Sequence, residues 1–378
     1  MKFKILIKKL NNSLTKEEEI IFSEWYKSSK LHRDYFDRLK NNFEKELDFI
    51  DVEQGWILLN KKLNSKRVIK KYFNYGIAAS IAILLSLVYV VFEKHNHPKV
   101  EIAVNKNQNK IFPGSDKAIL TLANGANVAL EKGNTHVLNH ASSNGSEIIY
   151  TNKNKISQEV VYNYLTIPRG GQFVLQLSDG TKVWLNSETK LKYPVNFIKN
   201  KVREVELVYG EAYFDVSPSS EHNGAGFKVF QNNQEVSVLG TEFNIKAYKD
   251  ETFIYTTLVE GKIFLQNNKS KQYLTPNEQA ILNLNTQQLS IQSNIDTYNE
   301  ASWKDGVFSF ENKPLEEVMK VLSRWYDFEV IFENKEIQKE EFIGVLMKDR
   351  NIEDVLISIK SSGIINNYKF NDHVLILK

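Results

Sequence analysis

One short stretch carries residue types suited to covalent chemistry. Residues 238–243 read VLGTEF. A threonine that follows glycine in a tight strand turn can aim its hydroxyl at the preceding carbonyl. An N→O acyl shift at Gly240-Thr241 would turn that amide into an ester that water can cleave, with no cofactor needed. The same residues also suit a β-bulge in which Gly240 supplies an unusual φ. No other set competes with this one. Histidines stand at 32, 95, 97, 136, 140, 222 and 373. His95 and His97 fall in a polar stretch with no rigid element to fix metal geometry, and His136 and His140 lie among Gly, Asn and Ser. The sequence has no HExxH, no GxSxG and no phosphate-cradling glycine loop. Arg169-Gly170-Gly171 is too short for such a loop and reads as a turn. Glu316 and Glu317 open a predicted helix, where they suit its dipole. With no cysteine, thiolate chemistry, disulfides and thiolate metal sites are excluded. The residues therefore predict a binding protein with no enzymatic activity, no metal and no cofactor.

The elements that would position these residues change character along the chain. The 378 residues carry a net charge of +3, which argues for no nucleic-acid partner. Residues 1–71 hold 17 Lys+Arg against 11 Asp+Glu, so the basic excess is concentrated there. Residues 72–92 read YFNYGIAASIAILLSLVYVVF, with no charge, and would reach roughly 30 Å as a helix, one hydrocarbon thickness. Basic residues crowd its N-terminal approach, which predicts a single pass with the N-terminus in the cytoplasm. Within 1–71, Thr15 and Glu18 form a capping-box signature ahead of a helix over 16–28, with Ile21 and Trp25 four apart. Phe36, Leu39, Phe43, Leu47 and Ile50 mark a second helix, and Trp56, Leu59 and Leu63 a third. These helices suit either a small bundle that only anchors the chain or a clasp whose apolar faces dock on a partner. Trp25, Phe36, Leu39 and Phe43 are the candidate contacts, and they suit the piece's own core equally well.

Residues 93–110 are polar and read as a linker. From 111 the period becomes two. LTLANGANVAL at 120–130 aligns with LQLSDGTKVWL at 175–185 at an offset of 55, and Pro113 and Pro168 keep that offset. Each copy is a hairpin around Asn-Gly or Asp-Gly. The duplicated unit predicts an all-β domain over 111–298, either solenoid-like or a sandwich. Residues 302–378 read β-α-β-β-α-β-β, a compact α+β domain in which Pro314 opens the first helix and Asn351 caps the second. Trp325 and Tyr326 fit that domain's core. The expected fold class is thus a multidomain membrane protein: a small all-α cytoplasmic piece (1–71), one transmembrane helix (72–92), a linker, an all-β periplasmic domain, and a C-terminal α+β domain.

RGGQFVLQLSDGTKVWLNSETKLKYP at 169–194 resembles the FecR family of anti-sigma factors, as do REVELVYGEAYFDVSP at 203–218 and VLGTEFNIKAY at 238–248. TTLVEGKI at 256–263 and LTPNEQAIL at 274–282 extend the resemblance. FSFENKPLEEVM and RWYDFEVIF are similar to the C-terminal domain of Bacteroidetes members, itself like the signalling domain of secretins and TonB-dependent transducers. The resemblance implies a protein in the inner membrane of a Gram-negative bacterium. Its N-terminal helices would hold an extracytoplasmic-function sigma factor. Its periplasmic part would sense the signalling domain of a TonB-dependent outer-membrane transporter. Release would follow stepwise proteolysis by site-1 and intramembrane proteases. Some family members also self-cleave at the Gly-Thr bond that Gly240-Thr241 carries here. The alternative is a membrane-anchored docking or assembly module without sigma-factor control.

Overall fold

A computed structural model describes residues 5, 8–9, 14–28, 33, 36–37, 40, 111–138, 140–151, 160–232, 234–267 and 269–378. The N-terminal helix α1 (Lys16–Ser28) forms where the capping box predicts it. Thr15 Oγ1 accepts from the Glu18 N–H at 3.2 Å, and the Glu18 carboxylate accepts from the Thr15 N–H at 3.0 Å. Two orphan donors of the first turn are thereby satisfied.

The β region alternates between two layers. In the first layer lie β1 (Ser115–Thr121) and β2 (Asn127–Glu131); in the second lie β3 (His136–Val137), β4 (Ala141–Ser143) and β5 (Glu147–Tyr150). The chain returns to the first with β6 (Tyr162–Ile167), crosses to the second with β7 (Gly171–Gln176) and β8 (Lys182–Leu185), and comes back with β9 (Thr189–Pro194). The 13-residue β10 (Arg203–Asp215) belongs to both: Glu206 and Leu207 pair with β9, whereas Ala212 to Asp215 pair with β8. Hairpins then alternate again: β11 (Phe227–Gln231) with β12 (Gln234–Val238), β13 (Glu242–Ala247) with β14 (Phe253–Glu260), β15 (Ile263–Asn267) with β16 (Lys271–Leu274), and β17 (Gln279–Asn283) with β18 (Leu289–Gln292). Side chains alternate along each strand, and the inward set (Leu120, Leu175, Leu191, Phe214, Phe243, Leu265 among it) forms one core between the layers.

The two copies of the duplicated segment fold alike but in opposite layers. Leu120 stands opposite Val128 in one hairpin, and Leu175 opposite Val183 in the other, at the same offset of 55. Their turns share the same bonds: Leu122 N–H to Ala126 O and Gly125 N–H to Leu122 O in the first, Leu177 N–H to Thr181 O and Gly180 N–H to Leu177 O in the second. The Asp179 turn is further held by the fully buried Arg203, whose guanidinium donates to Asp179 Oδ2 at 2.7 Å and to the carbonyls of Ser217 and Ala225.

The terminal segment continues through α2 (Thr297–Ala301), a 3-10 turn at Ser302–Asp305, β19 (Val307–Pro314), α3 (Leu315–Tyr326), β20 (Glu329–Phe332), β21 (Glu341–Met347), α4 (Ile352–Ser361), β22 (Tyr368–Asn371) and β23 (Val374–Leu377). β19 pairs with β21, and β20, β23 and β22 form a second small sheet. Leu315, Val318, Met319 and Leu322 of α3 and Ile352, Leu356 and Ile359 of α4 bury their apolar faces in this segment's core.

The expected fold class requires correction. The described residues are mostly β, and no helix among them is long and apolar enough to cross a membrane. Residues 109–378 fall within one compact unit, and Tyr213 and Trp184 of the β layers join the core of the terminal domain. The physical reason is that charged and aromatic residues which read locally as surface or as private core meet across a shared seam. The apolar run 72–92, the linker 93–110 and the second and third N-terminal helices lie outside the described residues, apart from Phe36, Asp37 and Lys40.

Glycines at turns and at the layer crossing differ in what surrounds them. Gly180 has φ 88° with open space where a Cβ would point, save for the Ser217 hydroxyl at 4.0 Å. Gly210 has φ 102°, and a Cβ there would lie 2.4 Å from Thr189 Cα. Gly180→Ala should therefore cost about 1 kcal/mol, from the backbone alone. Gly210→Ala should cost several times as much, because the obstacle is backbone that cannot move aside. Denaturant midpoints of the two variants check the contrast.

Candidate functional site at the seam of the two layers and the terminal domain

The seam is built by three basic side chains, and each does different work. Arg169, from the turn that the Arg-Gly-Gly sequence marked, reaches the C-terminal end of α3. Its guanidinium donates to Ser323 O at 2.7 Å and Phe328 O at 2.8 Å, and pairs with Asp327 at 3.0 Å. A cation there satisfies orphan carbonyls and suits the helix dipole. The adjoining Gly170 N–H donates to Arg324 O at 2.7 Å.

Arg324 points the other way, from α3 into the β layers. Its side chain is 4% exposed, pairs with Asp250 at 2.6 Å and Glu251 at 2.8 Å, and lies over the Tyr248 ring at 3.7 Å. These three partners share the loop after β13. Glu251 also binds Lys246 at 3.0 Å. Burial opposes the charge on Lys246, but the carboxylates of Glu251 and Glu211 outweigh it and hold the ammonium above the ordinary lysine range. Glu211 is itself buried. It accepts from Asn186 Nδ2 at 2.8 Å and Asn244 Nδ2 at 2.9 Å, and burial pushes its carboxyl up.

These residues open onto a cleft with about 540 Å³ of space free of protein atoms, part of it open to solvent. Asn186, Glu211 and Lys246 wall it from the β layers, and Glu300, Trp303, Phe310, Lys313 and Glu317 from the terminal domain. Lys313 pairs with Glu300 at 3.1 Å. Glu317, which sequence assigned to a helix dipole, thus also lines the cleft. The third basic residue, Lys348, donates to Gln172 Oε1 of β7 at 2.7 Å. Trp325 is core, as its pattern indicated, but it presses on the sandwich at Gly114, where a Cβ would lie 2.6 Å from the ring.

The Gly240-Thr241 turn does not line the cleft. Gly240 has φ 149°, and a Cβ there would meet Pro218 Cα at 3.1 Å. The Thr241 hydroxyl donates to Lys262 O at 3.2 Å rather than to a base. Nearby, Ser217 Oγ lies 2.9 Å from His222 Nε2, a contact that sequence reading missed because the residues are five apart on a turn. Glu221 meets the same hydroxyl at 3.2 Å instead of the imidazole, so this carboxylate does not orient the ring as a base. Among the described residues no three side chains gather to hold a metal ion.

In the N-terminal piece, Phe36 is buried against Phe22 at 4.7 Å and Tyr26 at 5.9 Å, and Trp25 is half-buried beside Phe22. The buried stripe of α1 therefore runs through Phe22 rather than Ile21. Ile20 and Ile21 are left 59% and 47% exposed, although periodicity placed Ile21 on the stripe with Trp25. Leu39 and Phe43 lie outside the described residues.

Two family models match the chain: FecR protein over residues 163–294, and FecR, C-terminal, over 307–377. The chain belongs to the FecR family of anti-sigma factors. A crystal structure at 1.65 Å resolution of a candidate anti-sigma factor from Parabacteroides distasonis ATCC 8503 is similar to this FecR-family chain, with 28% identity and a TM-score of 0.51. The match covers 57% of this chain and 98% of that one. A second crystal structure so described from that organism, at 2.50 Å, gives the same figures. No curated protein matches this FecR-family chain. Both family models fall on the part that the seam unites, and membership in the family makes a sigma factor the expected partner.

Removing Arg324 leaves the largely buried Glu251 facing a gap, whereas Asp250 is 59% exposed. Arg324→Ala should destabilise the protein by about 3–5 kcal/mol. Arg169→Ala should cost less, since its side chain is 34% exposed and its pairs are screened by solvent. Thermal unfolding of both variants tests the order.

Proposed function

We propose that this chain is an anti-sigma factor that relays a periplasmic signal to an extracytoplasmic-function sigma factor. The N-terminal helical piece holds the sigma factor in the cytoplasm. The unit of β layers and terminal domain receives the signalling domain of a TonB-dependent outer-membrane transporter, and regulated proteolysis releases the sigma factor. The domain boundaries of this reading are 1–71 for the sigma-binding piece, 111–298 for the FecR-like layers and 302–378 for the signalling-type domain. Its location at the inner membrane, N-terminus inside, rests on the basic residues that precede the uncharged run 72–92. The chain acts by binding, without enzymatic activity of its own.

One observation carries the proposal. α1 pairs a buried aromatic stripe with an exposed apolar pair, Ile20 and Ile21, flanked by acidic Glu17, Glu18, Glu19 and Glu24. Exposed adjacent isoleucines on a helix that already has its own packed face suit a helical partner's groove. Residues 1–71 should retain an extracytoplasmic-function sigma factor in a pull-down. Ile20→Asp with Ile21→Asp should weaken retention at least tenfold while helicity by circular dichroism holds. Phe36→Ala should reduce both together, because it is core. Equal retention by the Ile20/Ile21 variant would remove that contact from the proposal. A transcriptional response that survives replacement of residues 1–60 by an unrelated basic anchor would favour the docking-module alternative.

Self-cleavage at Gly240-Thr241 would require the Thr241 hydroxyl to leave Lys262 O and find a base. We expect the bond to stay intact and the turn to be structural. A C-terminally tagged protein should run as one full-length band, with Thr241→Ala costing only about 1 kcal/mol of stability. A shorter band lost in Thr241→Ala would establish cleavage instead.

A further inference from the structure

Lys348 sits where the seam is driest. It follows β21, is 3% exposed, and sends its ammonium nitrogen across the seam to Gln172 Oε1 at 2.7 Å and to Trp303 O at 3.2 Å. The Trp325 ring lies 3.9 Å away, with Phe308 at 5.2 Å and Trp303 at 5.7 Å. Gln172 passes the contact on, donating to Asp116 Oδ1 at 2.9 Å. An amide thus stands between the amine and the nearest carboxylate on that path.

The other buried lysines of the seam differ. Lys246 and Lys313 each touch a carboxylate directly. Among the described residues, no carboxylate lies within ion-pair distance of Lys348. The charged groups that act on it are Asp116 of β1 and Glu211 of β10, both from the layers. From the terminal domain, the 3-10 turn, β19 and α3 present only aromatic rings and a carbonyl.

We propose that Lys348 is a proton-controlled latch: its neutral amine keeps the terminal domain docked on the β layers, and taking up a proton favours undocking. Docking removes the amine from water. Burial pushes it down to about 7, and Glu211 and Asp116 offset only part of that push. An undocked lysine titrates near its ordinary value of about 10.4. Between these values the undocked state binds the extra proton, so docking weakens as pH falls from about 10 to about 7 and is unaffected by this group below that. The remainder of the seam combines the ion pairs of Arg169 and Arg324 with apolar contacts of Tyr213 and Trp184 to the terminal core.

The test uses the full chain. The Gly170 amide, bonded to Arg324 O, reports docking. Its hydrogen exchange, corrected for intrinsic pH dependence, should lose protection from pH 9 to pH 7 by up to about tenfold per unit. Lys348→Met keeps the apolar stem among the rings and should show no such slope. The same slope in Lys348→Met, or none in the wild type, would overturn the proposal. Should that variant fail to fold, NMR titration of the Lys348 ammonium in the wild type decides. A midpoint near 7 supports the latch, and one near 10.5 sinks it.

Discussion

One strand governs this architecture. β10 pairs in the first layer through Glu206 and Leu207 and in the second through Ala212 to Asp215, so the layers cannot slide past each other without breaking it. The crossing needs a residue with positive φ and no Cβ, and Gly210 supplies both against Thr189. The hydroxyl of Thr189 then takes over a ladder role, accepting from Glu211 N–H at 2.9 Å. Once β10 turns there, the next side chains are committed. Glu211 is delivered to the cleft, Tyr213 to the terminal core, and Phe214 to the core between the layers, stacked on Phe243. The site is therefore a consequence of the crossing, not an addition to a finished sandwich.

The seam inherits the same logic. Glu211 leads to Lys246, Lys246 to Glu251, and Glu251 to Arg324, so a chain of opposite charges runs from β10 to α3. Each buried charge has its counter-charge on a different element. A buried pair of this sort adds little net stability, because desolvation consumes most of the Coulomb gain. It does penalise misplacement, since a shifted register would strand charges without partners. The apolar contact of Trp325 against Gly114 fixes the separation, while the ions fix the orientation. A domain held this way has one docked geometry.

Local signals were legible in the sequence, and non-local ones were not. The capping box at Thr15, the two hairpins at an offset of 55 and the alternation of strands and helices after Val307 all follow from short-range rules. Each depends on residues within about a dozen positions. What could not be read was which strands share a layer, since β10 changes layer at a glycine that looks like any other. Nor could the seam be read. Arg169 and Arg324 lie 155 residues apart in the sequence and meet through a helix end. Lys348 is one lysine among many, and only the fold shows that it has been enclosed by Trp303, Phe308 and Trp325. On α1, period counting chose Ile21 and Trp25, whereas packing chose Phe22, because a ring fills the space against Phe36 that an isoleucine cannot.

Arg324 and Lys348 show why two cations on one seam behave oppositely. Both lie at the same interface and both are almost fully buried. Arg324 meets three carboxylates, and a guanidinium does not lose its proton in any ordinary range, so its contribution is constant with pH. Lys348 meets an amide and three rings, and an amine can discard its charge when burial makes that charge costly. The first therefore sets where the terminal domain sits. The second makes the strength of that seating depend on a proton. A seam made only of the first kind would be a fixed joint, and one made only of the second would lack a defined geometry. With both, the proposed latch changes how firmly the terminal domain is held without changing where it sits.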